Sequence, residues 1–207
     1  GRGANKDGEH PFLDRFNLKD ASRQRLFTSP ADRLESVLAF VGDKHDNVIT
    51  RSESPTQPPN LFLKKLDGSG NAQDVSQLTH KVDPTPEVQG VKKRLVRYQR
   101  ADGVDLSFTL YLPPNYQEGT RVPAILWAYP LDYSDAKAAA NQVSSDAQRF
   151  TRLSDYKLAL LDGYAVIDGA TIPVIGDPQK MYDNYMEQLI AGAEAAGGAA
   201  EGAPAQG

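Results

Sequence analysis

Nucleophilic catalysis needs a serine, threonine or cysteine held within reach of a base. The chain has no cysteine, which excludes thiol nucleophiles, disulfides and thiolate metal sites. A hydrolase serine on a sharp strand-to-helix turn is announced by Gly-x-Ser-x-Gly. That pattern does not occur in the 207 residues. The serine most nearly framed by glycine lies in Asp67-Gly68-Ser69-Gly70, a composition that predicts a turn. The three histidines are His10, His45 and His80. All precede the second half of the chain, none stands near a nucleophile motif, and surface or turn roles are expected for each.

The carboxylates offer less. Asp43, His45 and Asp46 fall close together, but a metal site needs more ligands arranged in space, so turn residues are the plainer reading. Asp162 and Asp168 follow apolar runs and would sit at strand ends, where functional groups of α/β sheets gather. Capping or turn roles compete with that. Gly163 and Gly169 are read as turn glycines, because no Gly-x-Gly-x-x-Gly is present to cradle a phosphate. Trp127 lies in an apolar run and is expected in the core. No cofactor is called for.

Two kinds of element must position these residues. Residues 1–80 read as antiparallel β structure with turns. Strands are expected at Gln24–Ser29, Ser36–Val41, Asn47–Ser52 and Asn60–Lys65. They are too few to close a propeller, which needs about four blades of about four strands. Asp83-Pro84-Thr85-Pro86 fixes two φ angles and removes two donors, so 81–91 reads as a linker. Lys93–Tyr98 and Leu106–Tyr111 form a hairpin across Ala101-Asp102-Gly103.

Beyond the hairpin the pattern changes. Ala124-Ile125-Leu126-Trp127-Ala128 is nearly all apolar, as in a strand covered on both faces. Asp135–Gln142 is Ala-rich and predicts a helix. Lys157–Leu161 and Tyr164–Asp168 read as short buried strands. Asp177 as N-cap and Pro178 at the first position open another helix. Its apolar stripe is Tyr182, Tyr185, Met186, Leu189, Ile190 and Ala193. Strand and helix in alternation argue for an α/β layer. Gly197-Gly198 should end the helix, leaving 197–207 as a disordered Gly/Ala-rich tail.

Composition narrows the partners. A net charge of -4 with 24% charged residues argues against a nucleic-acid partner, since phosphate binding needs a clustered basic surface. Lys92-Lys93-Arg94 is the longest basic run and fits a solvated strand edge. No apolar run is long enough for a transmembrane helix. The opening Gly1–Gly8 lacks an initiator Met and a signal-peptide core, so the sequence predicts a soluble protein with no membrane association and leaves its compartment open.

Four segments, in order and spacing, resemble one branch of the prolyl oligopeptidase family of serine peptidases, the glutamyl endopeptidase-like enzymes. They are Arg51-Ser52-Glu53-Ser54-Pro55-Thr56-Gln57-Pro58-Pro59-Asn60; Asp102-Gly103-Val104-Asp105 with Tyr111-Leu112-Pro113-Pro114; Leu126-Trp127-Ala128-Tyr129-Pro130; and Ile172-Pro173-Val174-Ile175-Gly176-Asp177-Pro178. The resemblance spans residues 10–196. It implies a mixed β and α/β fold: the end of a β-propeller over 1–80, then the N-terminal part of an α/β-hydrolase domain over 92–196. It implies a peptide substrate and a Ser-His-Asp acyl-enzyme mechanism in the intact enzyme. It also implies that nucleophile, acid and histidine lie beyond this text. In this family a tyrosine after the first buried hydrolase strand donates to the oxyanion hole, and Tyr129 stands at the matching place. The competing reading of Tyr129 is a strand-end phenol with its hydroxyl in water.

On that resemblance the chain is a piece of a serine peptidase, inactive alone. Its unfinished sheet should leave it poorly folded or self-associating. A catalytically dead binding domain remains an alternative. So does a structural fragment that pairs with a separate triad-bearing chain.

Overall fold

The computed structural model describes residues 1–5, 8–88, 90–140 and 146–202. The chain divides into two compact units, Gly1–Pro84 with Gln148–Thr151, and Thr85–Ala147 with Arg152–Gly207. It is built mostly of β sheets, with few helices.

The first unit is antiparallel β structure. Two-residue strands β1 (Ala4–Asn5) and β2 (Gly8–Glu9) pair, and β3 (Phe12–Phe16) pairs with β4 (Arg23–Thr28). A four-stranded sheet follows in chain order: β5 (Leu34–Val41), β6 (Asn47–Ser54), β7 (Gln57–Leu66) and β8 (Ala72–Gln77). Its turns use polar side chains as the sequence predicts. Asp67 Oδ1 accepts from the Ser69 N–H at 2.8 Å, the Ser69 hydroxyl at 2.8 Å and the Asn71 N–H at 3.3 Å, so Ser69 is a turn residue.

The sheet holds a buried ion network as well as apolar residues such as Val48. Glu35 is fully buried. It accepts from the Thr50 hydroxyl at 2.6 Å and receives Lys64 Nζ at 2.7 and 3.0 Å. Lys64 also reaches Asp74 at 2.9 Å. A buried charge persists only when paired and hydrogen-bonded, and here each partner supplies that to the other.

The second unit carries a mixed sheet in the order β11-β12-β10-β9. The hairpin is β9 (Lys92–Gln99) with β10 (Asp105–Leu112), Leu106 opposite Tyr98 and Tyr111 opposite Lys93. Its turn is held by Arg100, whose guanidinium grips Asp102 with two bonds of 2.9 and 2.8 Å and donates to the Pro173 carbonyl at 3.0 Å. The same guanidinium holds the Asp102 carboxyl below its ordinary range. Next come β11 (Ala124–Tyr133), helix α1 (Ala136–Ala140), a 3-10 helix (Asp155–Asp162) and β12 (Ala165–Ile175). β12 lies between β10 and β11, antiparallel to the first and parallel to the second. Between the two parallel strands the described residues carry α1 and the 3-10 helix.

Helix α2 (Tyr185–Gly202) covers one face of this sheet. There Leu110, Ile167 and Ala170 pack with Ala196. On the other face Tyr111 and Val166 pack with Leu160 of the 3-10 helix.

Several expectations are corrected here. Lys157–Leu161 is not a strand but lies within the 3-10 helix; a short apolar run cannot distinguish the two. Ala124–Ala128 is not covered on both faces: Leu126 and Trp127 are exposed, and among the described residues β11 pairs with β12 alone. Trp127 is 53% exposed rather than core. Asp177 caps a turn, taking the Gln179 N–H on its side chain and the Lys180 and Met181 N–H groups on its carbonyl, and the helix begins only at Tyr185. Of the expected apolar stripe, Tyr182, Met186 and Ile190 are exposed and Tyr185, Leu189 and Ala193 half-buried, while Gln188, Gly192 and Ala196 are buried. Small residues win because the helix lies close to the sheet: a Cβ on Gly192 would stand 3.0 Å from Ile172 Cγ2. Gly197-Gly198 does not break the helix, which runs to Gly202; residues 203–207 of the expected tail lie outside the described residues. Residues 141 and 142 of the expected Asp135–Gln142 helix also lie outside them, and α1 covers Ala136–Ala140.

Candidate functional site

Tyr129 lies on β11 opposite Thr171 of β12 and is 78% exposed. β11 continues to Tyr133, so Tyr129 is inside the strand rather than just past its end. Alternation places Tyr129 on the same face as Trp127 and Leu131, and all three are exposed.

Two residues back along β11, Trp127 meets a buried polar cluster that sequence reasoning missed. Asp168 stands opposite Trp127 in the parallel register. It is neither a strand end nor a turn: it sits within β12 and is 3% exposed. Tyr156 donates its hydroxyl to Asp168 Oδ1 at 2.7 Å. Lys157 Nζ lies 2.6 Å from Asp168 Oδ2. The same ammonium sits 4.7 Å over the Tyr111 ring and 3.4 Å from its hydroxyl. Burial, then the hydrogen bond to Asp168 and its charge, raises the Tyr156 phenol above its ordinary value. Trp127 stacks on Tyr156, centroids 4.3 Å apart and planes 13° apart.

The cluster was hidden because Lys157–Leu161 reads as a strand, which would separate the neighbours Tyr156 and Lys157 onto opposite faces. In the 3-10 helix both reach Asp168. The usable signal was the lone acid in Ala165-Val166-Ile167-Asp168, since a carboxylate in a buried strand requires a partner.

The remaining residues are dispersed. Asp162 closes the 3-10 helix, and Gly163 follows with φ +84 as its left-handed cap. Gly169, at φ +63, is the extra residue of a bulge in β12 where the register shifts between Trp127 and Ala128. His45 adopts φ +53 in the β5–β6 turn and meets Phe40 edge-on. His10 donates its backbone N–H to Gly3 in the first unit, and His80 is exposed. Asp43 and Asp46 share the turn with His45. Among the described residues, no group of three or more His, Cys, Asp or Glu could hold a metal ion. No described helix is long and apolar enough to cross a membrane.

What this arrangement offers chemically is a phenol and an indole presented on an edge strand, backed by a buried Asp–Lys–Tyr cluster. No protein-family model matches the chain. A protein of Oryza sativa subsp. japonica named probable glutamyl endopeptidase, chloroplastic, is 35% identical over 211 residues, covering 95% of this chain and 22% of that protein. A protein of Arabidopsis thaliana with the same name is 33% identical over 210 residues, covering 95% and 21%. The chain is thus related to proteins named as peptidases, and spans about a fifth of the length of these curated relatives. Among solved structures, the AtxE2 isopeptidase in its apo form aligns with TM-score 0.46 and 19% identity, over 83% of this chain and 22% of that one. A variant of it with Astexin3-dC4 bound aligns with TM-score 0.45 and 18% identity over the same shares.

Proposed function

We propose that this chain, related over 95% of its length to proteins named glutamyl endopeptidase, is part of a serine-type peptidase that hydrolyses peptide bonds through an acyl-enzyme. The sequence relationship carries this reading. In it, the four-stranded sheet of the first unit is a propeller blade, and the mixed sheet of the second is the opening of an α/β-hydrolase domain. The hairpin followed by a parallel pair with helices on both faces supports the second assignment.

The nucleophile, histidine and acid of the triad are then supplied by residues outside these 207, since no Gly-x-Ser-x-Gly occurs among them. Tyr129 is this chain's contribution to the chemistry. A phenol donates a hydrogen bond as the substrate carbonyl becomes an oxyanion, and a lost donor of this kind costs roughly 3–4 kcal/mol. The exposure of Tyr129 leaves its hydroxyl accessible to a reacting group.

The test is a serine-directed fluorophosphonate. Applied to the product of the longest reading frame containing this sequence, it should abolish peptide hydrolysis and label one serine outside residues 1–207. The 207-residue chain should remain unlabelled and inactive. Peptide hydrolysis indifferent to the reagent, or stoichiometric labelling within the 207 residues, would overturn the proposal.

A further inference from the structure

The acyl-enzyme reading uses none of the Asp168 cluster, yet the cluster lies against the strand that carries Tyr129. The strand needs support there. At Trp127/Ala128 the β11–β12 ladder shifts register, with Gly169 as the extra residue, and a bulge locally disrupts ladder hydrogen bonding. Side chains therefore hold what the ladder does not.

We propose that Asp168 and Tyr156 are positioning residues which, through the Trp127 ring, fix the segment of β11 that presents Tyr129. Asp168 anchors the Tyr156 hydroxyl at 2.7 Å, and the Tyr156 ring lies flat under Trp127 at 4.3 Å. Lys157 Nζ makes an ion-pair contact of 2.6 Å with the other carboxylate oxygen, without hydrogen-bond geometry, and rests on Tyr111 of β10. The cluster thus joins the 3-10 helix to β10, β12 and β11. Tyr129 follows Trp127 by two residues on the same face, so an orientation imposed on Trp127 is passed to it. The catalytic consequence rests on the oxyanion reading of Tyr129; the positioning does not.

The experiment uses the product of the longest reading frame containing this sequence, with a fluorinated tyrosine incorporated at 129, read by fluorine NMR together with residue-resolved amide exchange. Tyr156→Phe keeps the stacked ring and loses the hydrogen bond; Asp168→Asn loses the charge. Both should shift the fluorine resonance and speed exchange at 127–129 and 168–171, while the amides of the β9–β10 hairpin keep their protection. Lys157→Arg, which keeps the cation, should restore most of the native signal relative to Lys157→Met. An unmoved resonance with unchanged exchange in folded Tyr156→Phe would overturn the proposal. So would equal loss of protection throughout the sheet, which marks general support of the fold. Should Asp168→Asn fail to fold, Tyr156→Phe, one hydroxyl smaller, decides alone. Failure of the oxyanion reading would show separately, as unchanged peptide hydrolysis on Tyr129→Phe.

Discussion

Gly192 of α2 faces Ile172 of β12 so closely that a Cβ at 192 would stand 3.0 Å from Ile172 Cγ2. Ile172 is buried and β-branched, so it has little rotamer freedom to yield. Alanine is the better helix former by about 1 kcal/mol, but overpacking a buried contact costs about 1–3 kcal/mol. Gly192→Ala should therefore be net destabilising in denaturant unfolding. Gly198, exposed with nothing within 4 Å of its Cβ position, meets no such opposition. Gly198→Ala should stabilise by roughly 0.5–1 kcal/mol. Equal effects at the two positions would contradict the close approach.

Glu35 and Lys64 depend on each other. Glu35→Gln leaves a buried ammonium with only Asp74 beside it, and breaking a buried pair from one side costs about 3–5 kcal/mol. Replacing both by methionine should cost much less. Urea unfolding of the two single variants and the double variant measures this. A double variant as unstable as the sum of the singles would contradict it.

Tyr98 carries a buried hydroxyl with no hydrogen-bond partner among the described residues. Burial pushes its phenol up to about 12, partly offset by the Arg100 charge. The unfolded state therefore loses this proton near its ordinary value while the folded state keeps it. Its contribution is fully present below pH ~10 and is lost as pH rises toward ~12. Tyr98→Phe should flatten that alkaline loss. At neutral pH it should be neutral or stabilising, by up to about 1 kcal/mol, because an unsatisfied polar group is removed. A clear destabilisation at pH 7 would show that the hydroxyl has a partner.

The edge strand β11 exposes Leu126, Trp127, Tyr129 and Leu131. An apolar edge is a template for pairing. We expect concentration-dependent association of the 207-residue chain in sedimentation, reduced by Leu131→Lys. A monomer at all concentrations would contradict it.

Much of the fold was legible where pattern and turn chemistry agree. Leu106–Leu110 alternates apolar and polar residues, Lys93–Tyr98 lies across Asp102-Gly103 from it, and the two pair as an antiparallel hairpin. Legibility failed where tertiary packing chose between equal local readings. Lys157–Leu161 suits a strand or a helix until Tyr156 and Lys157 both need to reach Asp168. The face of α2 followed close approach, so small residues turned inward and Met186 and Ile190 outward. For the candidate site, Tyr129 was singled out only through a family resemblance. The Asp168 cluster escaped notice because its members are distant in sequence from Tyr111 and Trp127.

The most direct measurement is steady-state peptide hydrolysis by Tyr129→Phe in the product of the longest reading frame containing this sequence. A hydrogen bond made mainly to the oxyanion affects the transition state and leaves substrate binding nearly untouched. The account predicts kcat lowered by about 10²- to 10³-fold with little change in KM, and a folded protein, since the ring remains. An unchanged kcat with normal stability would contradict it and return Tyr129 to a surface phenol on an edge strand.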